Sequence, residues 1–214
     1  MVTTDDADMA EIVRSVRDHG YHESEHRSLL ELESLYTYIH HRPGWNYRLT
    51  EMQSVLGLTA LPRMAWNVAR RRENAHHLTE GIKQMPWFVP APEAEWAHHS
   101  FYKYYSAVKP GALRTSRDEF VKALRVEGIP VGLGSSTENY REEVFQHKIG
   151  YGRTHCPYEC PWYEGRVDYS QVDCTNARET GSRTFVLQVH PTAELADMDD
   201  ILAALLKVGE AHAV

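Results

Sequence analysis

Three cysteines and a histidine cluster in the second half of the chain and are the first candidates for chemistry. His155, Cys156 and Cys160 fall within six residues, and Cys174 follows. Thiolates and imidazoles are the ligands that structural zinc sites use. The Cys-x-x-x-Cys spacing is loose, however, and the sequence contains no Cys-x-x-Cys pair. We therefore predict no metal ligands and keep a structural zinc site as an alternative.

Two further segments have a composition that suits anion binding. Gly132-Leu133-Gly134-Ser135-Ser136 could direct backbone amides at an anion. A single Gly-x-Gly is more typical of a plain turn, so we predict a turn there. The densest basic run, Arg70-Arg71-Arg72, lies in a helical pattern beside Glu73, which indicates a solvated helix face.

Composition narrows the class of protein. The 214 residues are enough for one substantial domain or two small ones, and the apolar (42%) and charged (25%) fractions are ordinary for a globular protein. A net charge of -7 without a basic stripe argues against nucleic-acid binding. We find neither a membrane-spanning apolar run nor a secretory signal. An odd number of cysteines does not suit a disulfide framework. We expect a cytoplasmic protein without nucleic-acid or membrane partners.

The N-terminal part reads as a strand end followed by helices. Residues 1–4 resemble the end of a strand, and Asp6 can cap a helix that stops near Gly20. A short helix is expected within residues 21–41. Thr50 and Gln53 form a capping box for a long helix, which Pro62 should kink or divide. The prolines that follow this helix mark the domain boundary: Pro86, Pro90 and Pro92.

The remaining pattern predicts a small α/β layer domain. Strands are expected over residues 100–108, 129–133 and 184–189. Ser116 with Glu119 caps a helix that ends at Gly128, and a last helix begins near residue 197. The stretch 134–176 lacks periodicity and is too long for an idle connection. We predict that these residues form either a functional loop or an arm that contacts another subunit.

Several motifs together resemble a known family. The blocks follow one another in the order Val2-Thr3-Thr4-Asp5-Asp6, Arg17-Asp18-His19-Gly20, Gly44-Trp45-Asn46-Tyr47-Arg48-Leu49-Thr50-Glu51-Met52-Gln53, Gly128-Ile129-Pro130 and Val189-His190-Pro191-Thr192. This order is similar to that of the DegT/DnrJ/StrS family of sugar aminotransferases, nearly from end to end. The block around Asn46-Tyr47-Arg48 is the most specific of these motifs. The other blocks are weaker evidence, because many helices end in His-Gly.

The resemblance implies fold type I of the pyridoxal-phosphate enzymes, which are α/β dimers with the active site at the subunit junction. Residues 1–85 would be the C-terminal end of the large cofactor-binding domain, and residues 86–214 the small C-terminal α/β domain. The implied activity is amino transfer from glutamate or glutamine to a keto-sugar, nucleotide-linked, in polysaccharide or secondary-metabolite sugar biosynthesis.

The resemblance also assigns roles to individual residues. Asn46 matches the asparagine that reaches across the dimer to the neighbour's cofactor phosphate; the alternative is a turn asparagine that satisfies its own loop. Arg48 would contact a phosphate or the sugar-nucleotide, or only buttress the loop. His99 and Tyr102 match the substrate side, or lie on a half-buried aromatic strand face. Strand alternation places Lys103 on the face opposite Tyr102.

The family's Schiff-base lysine lies upstream of the Val-Thr strand. None of the six lysines of this sequence matches its context: Lys83, Lys103, Lys109, Lys122, Lys148 and Lys207. We therefore expect no catalytic residue here, a pyridoxal phosphate that this chain does not bind covalently, and no activity of the chain alone. A homodimer, or pairing with a full-length homologue, is expected. The alternatives are a non-catalytic partner or metal-binding module, and a truncated gene product.

Overall fold

The computed structural model of the protein describes residues 2–20, 42–134, 138–150, 153, 156–159 and 161–214. The helix expected within residues 21–41 lies outside these ranges, as do Ser135, Ser136, His155 and Cys160. The chain divides into two compact units, Met1–Arg63 (unit 1) and Met64–Val214 (unit 2), and each is described by itself. Within the described ranges, no helix is both long and apolar enough to cross a bilayer.

The helix starts of unit 1 follow the predicted caps. Helix α1 spans Ala7–Arg17, and the Asp6 side chain accepts a hydrogen bond from the Met9 amide. Helix α2 spans Glu51–Lys83 and begins at the predicted capping box: Gln53 Oε1 accepts from the Thr50 amide at 3.1 Å, and Thr50 Oγ1 accepts from the Gln53 amide at 3.3 Å. Residues 2–4, predicted to end a strand, have no regular secondary structure.

Helix α2 contains Pro62 and is not divided there, so the prediction of a division is wrong. Proline removes one backbone donor and crowds the preceding turn, which costs helix stability. Tertiary packing outweighs such local costs in many helices. In unit 2 the C-terminal part of α2 supplies core residues, among them Ala75, Leu78 and Ile82, each 0% exposed.

Unit 2 is built on a four-stranded antiparallel sheet with the order β1-β2-β4-β3. The strands are β1 (Phe88–Val89), β2 (Tyr104–Val108), β3 (Gly132–Leu133) and β4 (Thr184–Leu187). The register pairs Phe88 with Val108, Tyr104 with Leu187 and Gly132 with Val186. The three predicted strands therefore exist but are shorter than predicted, and the two-residue strand β1 was not foreseen.

Unit 2 contains further helical elements besides the end of α2. They are α3 (Arg117–Val126), a 3-10 turn (Asn139–Arg141), α4 (Glu143–Gln146), α5 (Thr175–Arg183) and α6 (Leu195–His212). Helix α3 starts at the predicted cap, where Ser116 Oγ accepts from the Glu119 amide at 3.2 Å. After it the chain turns at Gly128, whose φ of +88° is one that glycine adopts without strain.

Aromatic side chains form the centre of the unit 2 core. The rings of Phe88, Phe120 and Phe185 lie 5.2–5.9 Å apart, and all three are at most 1% exposed. Residues from α2, the sheet, α3 and α6 complete this core. The unit is thus a mixed α/β layer with an open sheet.

Candidate functional site

Backbone hydrogen bonds fix the loop that carries Asn46 and Arg48. We name residues 44–50 the Asn46 loop. The Trp45 amide donates to Val16 O at 2.9 Å, the Tyr47 amide to Arg17 O at 2.8 Å, and the His19 amide to Trp45 O at 3.0 Å. This ladder puts Asn46 opposite Asp18 in an antiparallel bridge. The end of α1 therefore sets the position of the Asn46 backbone.

Two glycines permit this close approach. A Cβ at Gly44 would lie 2.2 Å from the Gly20 nitrogen and 2.5 Å from the His19 carbonyl carbon. Gly20 itself has a φ of +84°, in the left-handed region. A side chain at either position would push the loop away from α1. The sequence predicted Gly20 as a helix stop but gave no signal that Gly44 packs against it.

The side chains of Asn46 and Arg48 act as a pair. Arg48 Nε donates to Asn46 Oδ1 at 3.1 Å and lies 3.4 Å from a carboxylate oxygen of Asp18. The acceptor oxygen of the Asn46 amide is thereby used, and its Nδ2 donors have no partner among the described residues. The Arg48 side chain is 54% exposed, and its terminal nitrogens also lack partners within the described ranges. The pair therefore presents hydrogen-bond donors only.

In unit 2, arginines from α2 hold the segment that carries His99 and Tyr102. Arg72 Nη1 donates to His99 O at 2.8 Å, and Arg71 Nη1 donates to Phe101 O at 3.3 Å and Tyr102 O at 3.1 Å. Arg70 Nη2 donates to a carbonyl of the segment after β4 at 2.9 Å. The prediction that these three arginines form a solvated helix face is therefore wrong. Their guanidinium groups instead donate hydrogen bonds to backbone carbonyls of irregular segments, which have no partner in a helix or sheet.

His99 and Tyr102 present polar atoms outward. His99 Nδ1 accepts from the Phe101 amide at 2.8 Å, so the neutral imidazole carries its proton on Nε2. Tyr102 is 73% exposed. The Arg71 guanidinium and Lys103 Nζ lie 5.9 Å and 5.5 Å from its ring centre. The prediction that Lys103 lies opposite Tyr102 is wrong, because both residues precede β2, where strand alternation does not yet apply.

An ion-pair cluster beside this segment was missed by the sequence reasoning. Glu93 accepts from Arg72 Nη1 and His76 Nε2, each at 2.9 Å. Burial raises the pKa of the Glu93 carboxyl, but the hydrogen bond from His76 and the charge of Arg72 outweigh it, and the pKa lies below its ordinary value. The spacing of Arg72 and His76 indicates one helix face. Nothing in the sequence identifies Glu93 as the residue that meets it.

The cysteine hypothesis is only partly covered by the described residues. Cys174 is half-buried and carries a free thiol. Among the described residues, no three histidine, cysteine or acidic side chains are arranged to hold a metal ion. His155 and Cys160 lie outside those ranges, so the zinc site stays an alternative prediction.

Comparison with known proteins yields one family. The pattern of the DegT/DnrJ/EryC1/StrS aminotransferase family matches residues 1–206. The chain is 24% identical over 205 residues, 96% of its length, to the spore coat polysaccharide biosynthesis protein SpsC of Bacillus subtilis. It is 31% identical over 157 residues, 73% of its length, to a UDP-N-acetyl-3-dehydro-alpha-D-glucosamine 3-aminotransferase of Acidithiobacillus ferrooxidans. These regions are 48% and 36% of the two relatives, so the chain spans about half of their length at most.

Solved structures share the fold. An aminotransferase from Psychrobacter cryohalolentis matches 98% of the chain with a TM-score of 0.75 and 24% identity. Helicobacter pylori PseC, an aminotransferase of pseudaminic acid biosynthesis, matches 97% with a TM-score of 0.73 and 19% identity. The chain covers 51% and 48% of these structures. The fold class expected from the sequence is confirmed.

Proposed function

Because the chain belongs to the DegT/DnrJ/EryC1/StrS aminotransferase family, we propose that it works as part of a pyridoxal-phosphate-dependent sugar aminotransferase. The substrate is a nucleotide-linked keto-sugar, and glutamate or glutamine is the amino donor. The names of two relatives support this choice, since one is a UDP-sugar 3-aminotransferase and another acts in spore coat polysaccharide biosynthesis. The observation that carries the proposal is the donor-only pair formed by Asn46 and Arg48.

This pair fits the phosphate group of the cofactor. Phosphate oxygens accept charge-assisted hydrogen bonds, and an amide N–H with a guanidinium is a matching donor set. Asn46 Nδ2 and the terminal nitrogens of Arg48 would hold the phosphate. When bound, pyridoxal phosphate supplies the electron sink for amino transfer. The residues of this chain hold and orient it, and the ladder to α1 keeps the donors in place.

The phosphate that the pair binds belongs to a second copy of the chain in the proposed homodimer. Unit 1 exposes many apolar side chains, as surfaces that bind other proteins do. In α2, Met52 is 82% exposed, Leu56 70% and Leu58 66%. In the Asn46 loop, Trp45 and Tyr47 stack with ring centres 5.8 Å apart and are 53% and 68% exposed. Dimerisation would cover this surface and bring the loop to the neighbouring active site.

His99 and Tyr102 would face the sugar substrate. The Nε2 proton of His99 and the Tyr102 hydroxyl are donors suited to the oxygens of a sugar or its phosphates. The cations beside Tyr102, on Arg71 and Lys103, favour an anionic ligand such as a sugar-nucleotide. Arg71 and Arg72 fix the backbone of this segment and so act as positioning residues.

Four of the six lysines are paired with glutamates, which does not suit a covalent bond to the cofactor. A lysine that attacks a carbonyl must lose its proton, which a nearby carboxylate opposes. Lys83, Lys122 and Lys207 each lie 2.7 Å from a glutamate oxygen, and Glu119 raises the pKa of Lys122. Lys148 pairs with Glu159 at 3.6 Å. We propose that these 214 residues bind the cofactor without a covalent bond and that another stretch of polypeptide supplies the lysine.

Native purification tests the proposed activity. Val214 is 85% exposed and can carry an affinity tag, so the protein can be isolated from its own cells with any polypeptide it works with. We expect the preparation to convert a nucleotide-linked keto-sugar and glutamate or glutamine into the amino sugar, detected by mass spectrometry. The Asn46→Ala variant should lower the rate, and Asn176→Ala, at an exposed asparagine of α5, should not. Fractionation of the same cells checks the proposed cytoplasmic location. A preparation without amino transfer to any keto-sugar contradicts the proposal.

A further inference from the structure

Unit 1 contains a cavity of about 850 Å³, and the charged residues among its described lining are all arginines. It lies between residues 2–4, helix α1 and the Asn46 loop. Arg14, Arg17 and Arg48 line it. The other lining residues are apolar or uncharged: Val2, Thr3, Thr4, Ala10, Val13, Tyr47, Leu49 and Gln53. No carboxylate is among the lining residues that the structure describes.

Two of these arginines lack an acidic partner. Arg14 and Arg17 are three residues apart in the last turns of α1, so their side chains share a helix face. Neither makes an ion pair with any residue that the structure describes. Several other arginines of the described ranges are paired with carboxylates, as in Arg72–Glu93 at 2.9 Å and Arg178–Asp173 at 2.7 Å.

The third arginine is brought to the same cavity by the backbone. The Tyr47 amide donates to Arg17 O at 2.8 Å, which places the following residue, Arg48, beside the end of α1. The negative end of the α1 dipole tolerates cations there. Asp18 lies 3.4 Å from Arg48 Nε and offsets part of that charge, whereas the dipole gives the guanidinium donors of Arg14 and Arg17 no hydrogen-bond partner, and like charges around one cavity repel each other.

We propose that this cavity is a binding site for an anion of the phosphate class, with a diphosphate group as its best-matched ligand. Guanidinium groups bind phosphate oxygens bidentately. Thr4 Oγ1 already accepts from the Asp6 amide at 3.1 Å, so its hydroxyl proton is available to the anion. Three positive charges suit a diphosphate, because it carries more negative charge than a single phosphate. The site lies within unit 1 of one chain, and only Arg48 is shared with the proposed cofactor contact.

Calorimetric titration of the 214-residue chain with inorganic pyrophosphate tests this site. We expect one pyrophosphate per chain, bound more tightly than inorganic phosphate at the same ionic strength. The double variant Arg14→Gln/Arg17→Gln should weaken pyrophosphate binding by about tenfold or more, as loss of charge-assisted contacts does. The control Arg63→Gln removes an exposed arginine of unit 1 that does not line the cavity, and it should leave the affinity unchanged.

Three results would overturn the proposal. They are no binding of pyrophosphate, equal affinity of wild type and the double variant, and an equal loss in Arg63→Gln, which would mark a general charge effect. Circular dichroism checks that the double variant folds, and the single variants Arg14→Gln and Arg17→Gln replace it if it does not. Pyrophosphate binding is measured without a keto-sugar or an amino donor, so its outcome does not depend on amino transfer. Failure of the anion site is therefore distinguishable from failure of the proposed enzyme.

Discussion

Replacing Gly44 with alanine should displace the Asn46 loop from helix α1. The new Cβ would lie 2.2 Å from the Gly20 nitrogen and 2.5 Å from the His19 carbonyl carbon. Both contacts are with backbone atoms, so no side chain can rotate to make room. The loop must therefore move by an ångström or so for an ordinary contact to be restored.

The size of the effect follows from the hydrogen bonds that such a shift breaks. Three backbone bonds of 2.8–3.0 Å join Val16, Arg17 and His19 to the loop. A hydrogen bond contributes about 0.5–1.5 kcal/mol net, so losing all three costs about 1.5–4.5 kcal/mol. Since each 1.4 kcal/mol is a factor of ten, the Trp45 and Tyr47 amides should exchange with solvent roughly tenfold to a thousandfold faster.

Hydrogen exchange resolved at single amides measures this directly. The matched control is Gly57→Ala, because a Cβ at Gly57 meets no atom within 4 Å and alanine favours the helix interior. Gly57→Ala should leave the two loop amides unchanged. The affinity of the natively purified protein for pyridoxal phosphate should fall in Gly44→Ala only. Unchanged exchange at Trp45 and Tyr47 in Gly44→Ala would refute the account of how the loop is held.

Three further predictions concern unit 2. Phe120→Ala removes a 0% exposed ring whose centre lies 5.2 Å and 5.5 Å from those of two other phenylalanine rings. Urea denaturation should show that the free energy of unfolding falls by about 3–5 kcal/mol. The control Val126→Ala, at an 87% exposed position, should lower it by less than about 1 kcal/mol. Asn74→Ala loses two hydrogen bonds of 3.1 Å to the segment after β4 and should cost about 1–3 kcal/mol in the same assay. The buried Oδ1 of Asn74 has no partner among the described residues, which places the loss toward the lower end of that range. The pKa of Glu93 is lowered by folding, so its ion pairs stabilise the unit above pH 4.5 and are lost as the pH falls through the lowered value. The melting temperature should therefore drop less steeply on acidification in Glu93→Gln than in the wild type.

The helix caps were predicted correctly from the sequence because each depends on hydrogen bonds between residues only a few positions apart. The Asp6 cap, the Thr50–Gln53 capping box and the Ser116 cap of α3 all occur as predicted. The chain turns after α3 at Gly128 for the same reason. The order of the motifs also identified the family, since the Asn46 block is specific. The assigned roles of Asn46, Arg48, His99 and Tyr102 remain predictions.

Features that depend on distant contacts were not predictable. The carbonyls that Arg70, Arg71 and Arg72 meet lie 27–123 residues away in the chain, so the run resembled an ordinary solvated face. Strand β2 begins at Tyr104 rather than at residue 100, because the preceding carbonyls bind arginines instead of a neighbouring strand. Pro62 lies inside α2 without dividing it, so the proline alone was a poor guide to where the helix ends.

The central claim is that Asn46 helps to bind the phosphate of pyridoxal phosphate in a sugar aminotransferase. The most direct test is the amount and affinity of the cofactor in the protein purified through a tag at Val214, compared between wild type, Asn46→Ala and the control Asn176→Ala. The account predicts about one pyridoxal phosphate per chain in the wild type and the control, and affinity about tenfold or more weaker in Asn46→Ala, as expected for the loss of a charge-assisted hydrogen bond. Absence of the cofactor from the wild type, or equal affinity in all three proteins, would contradict it.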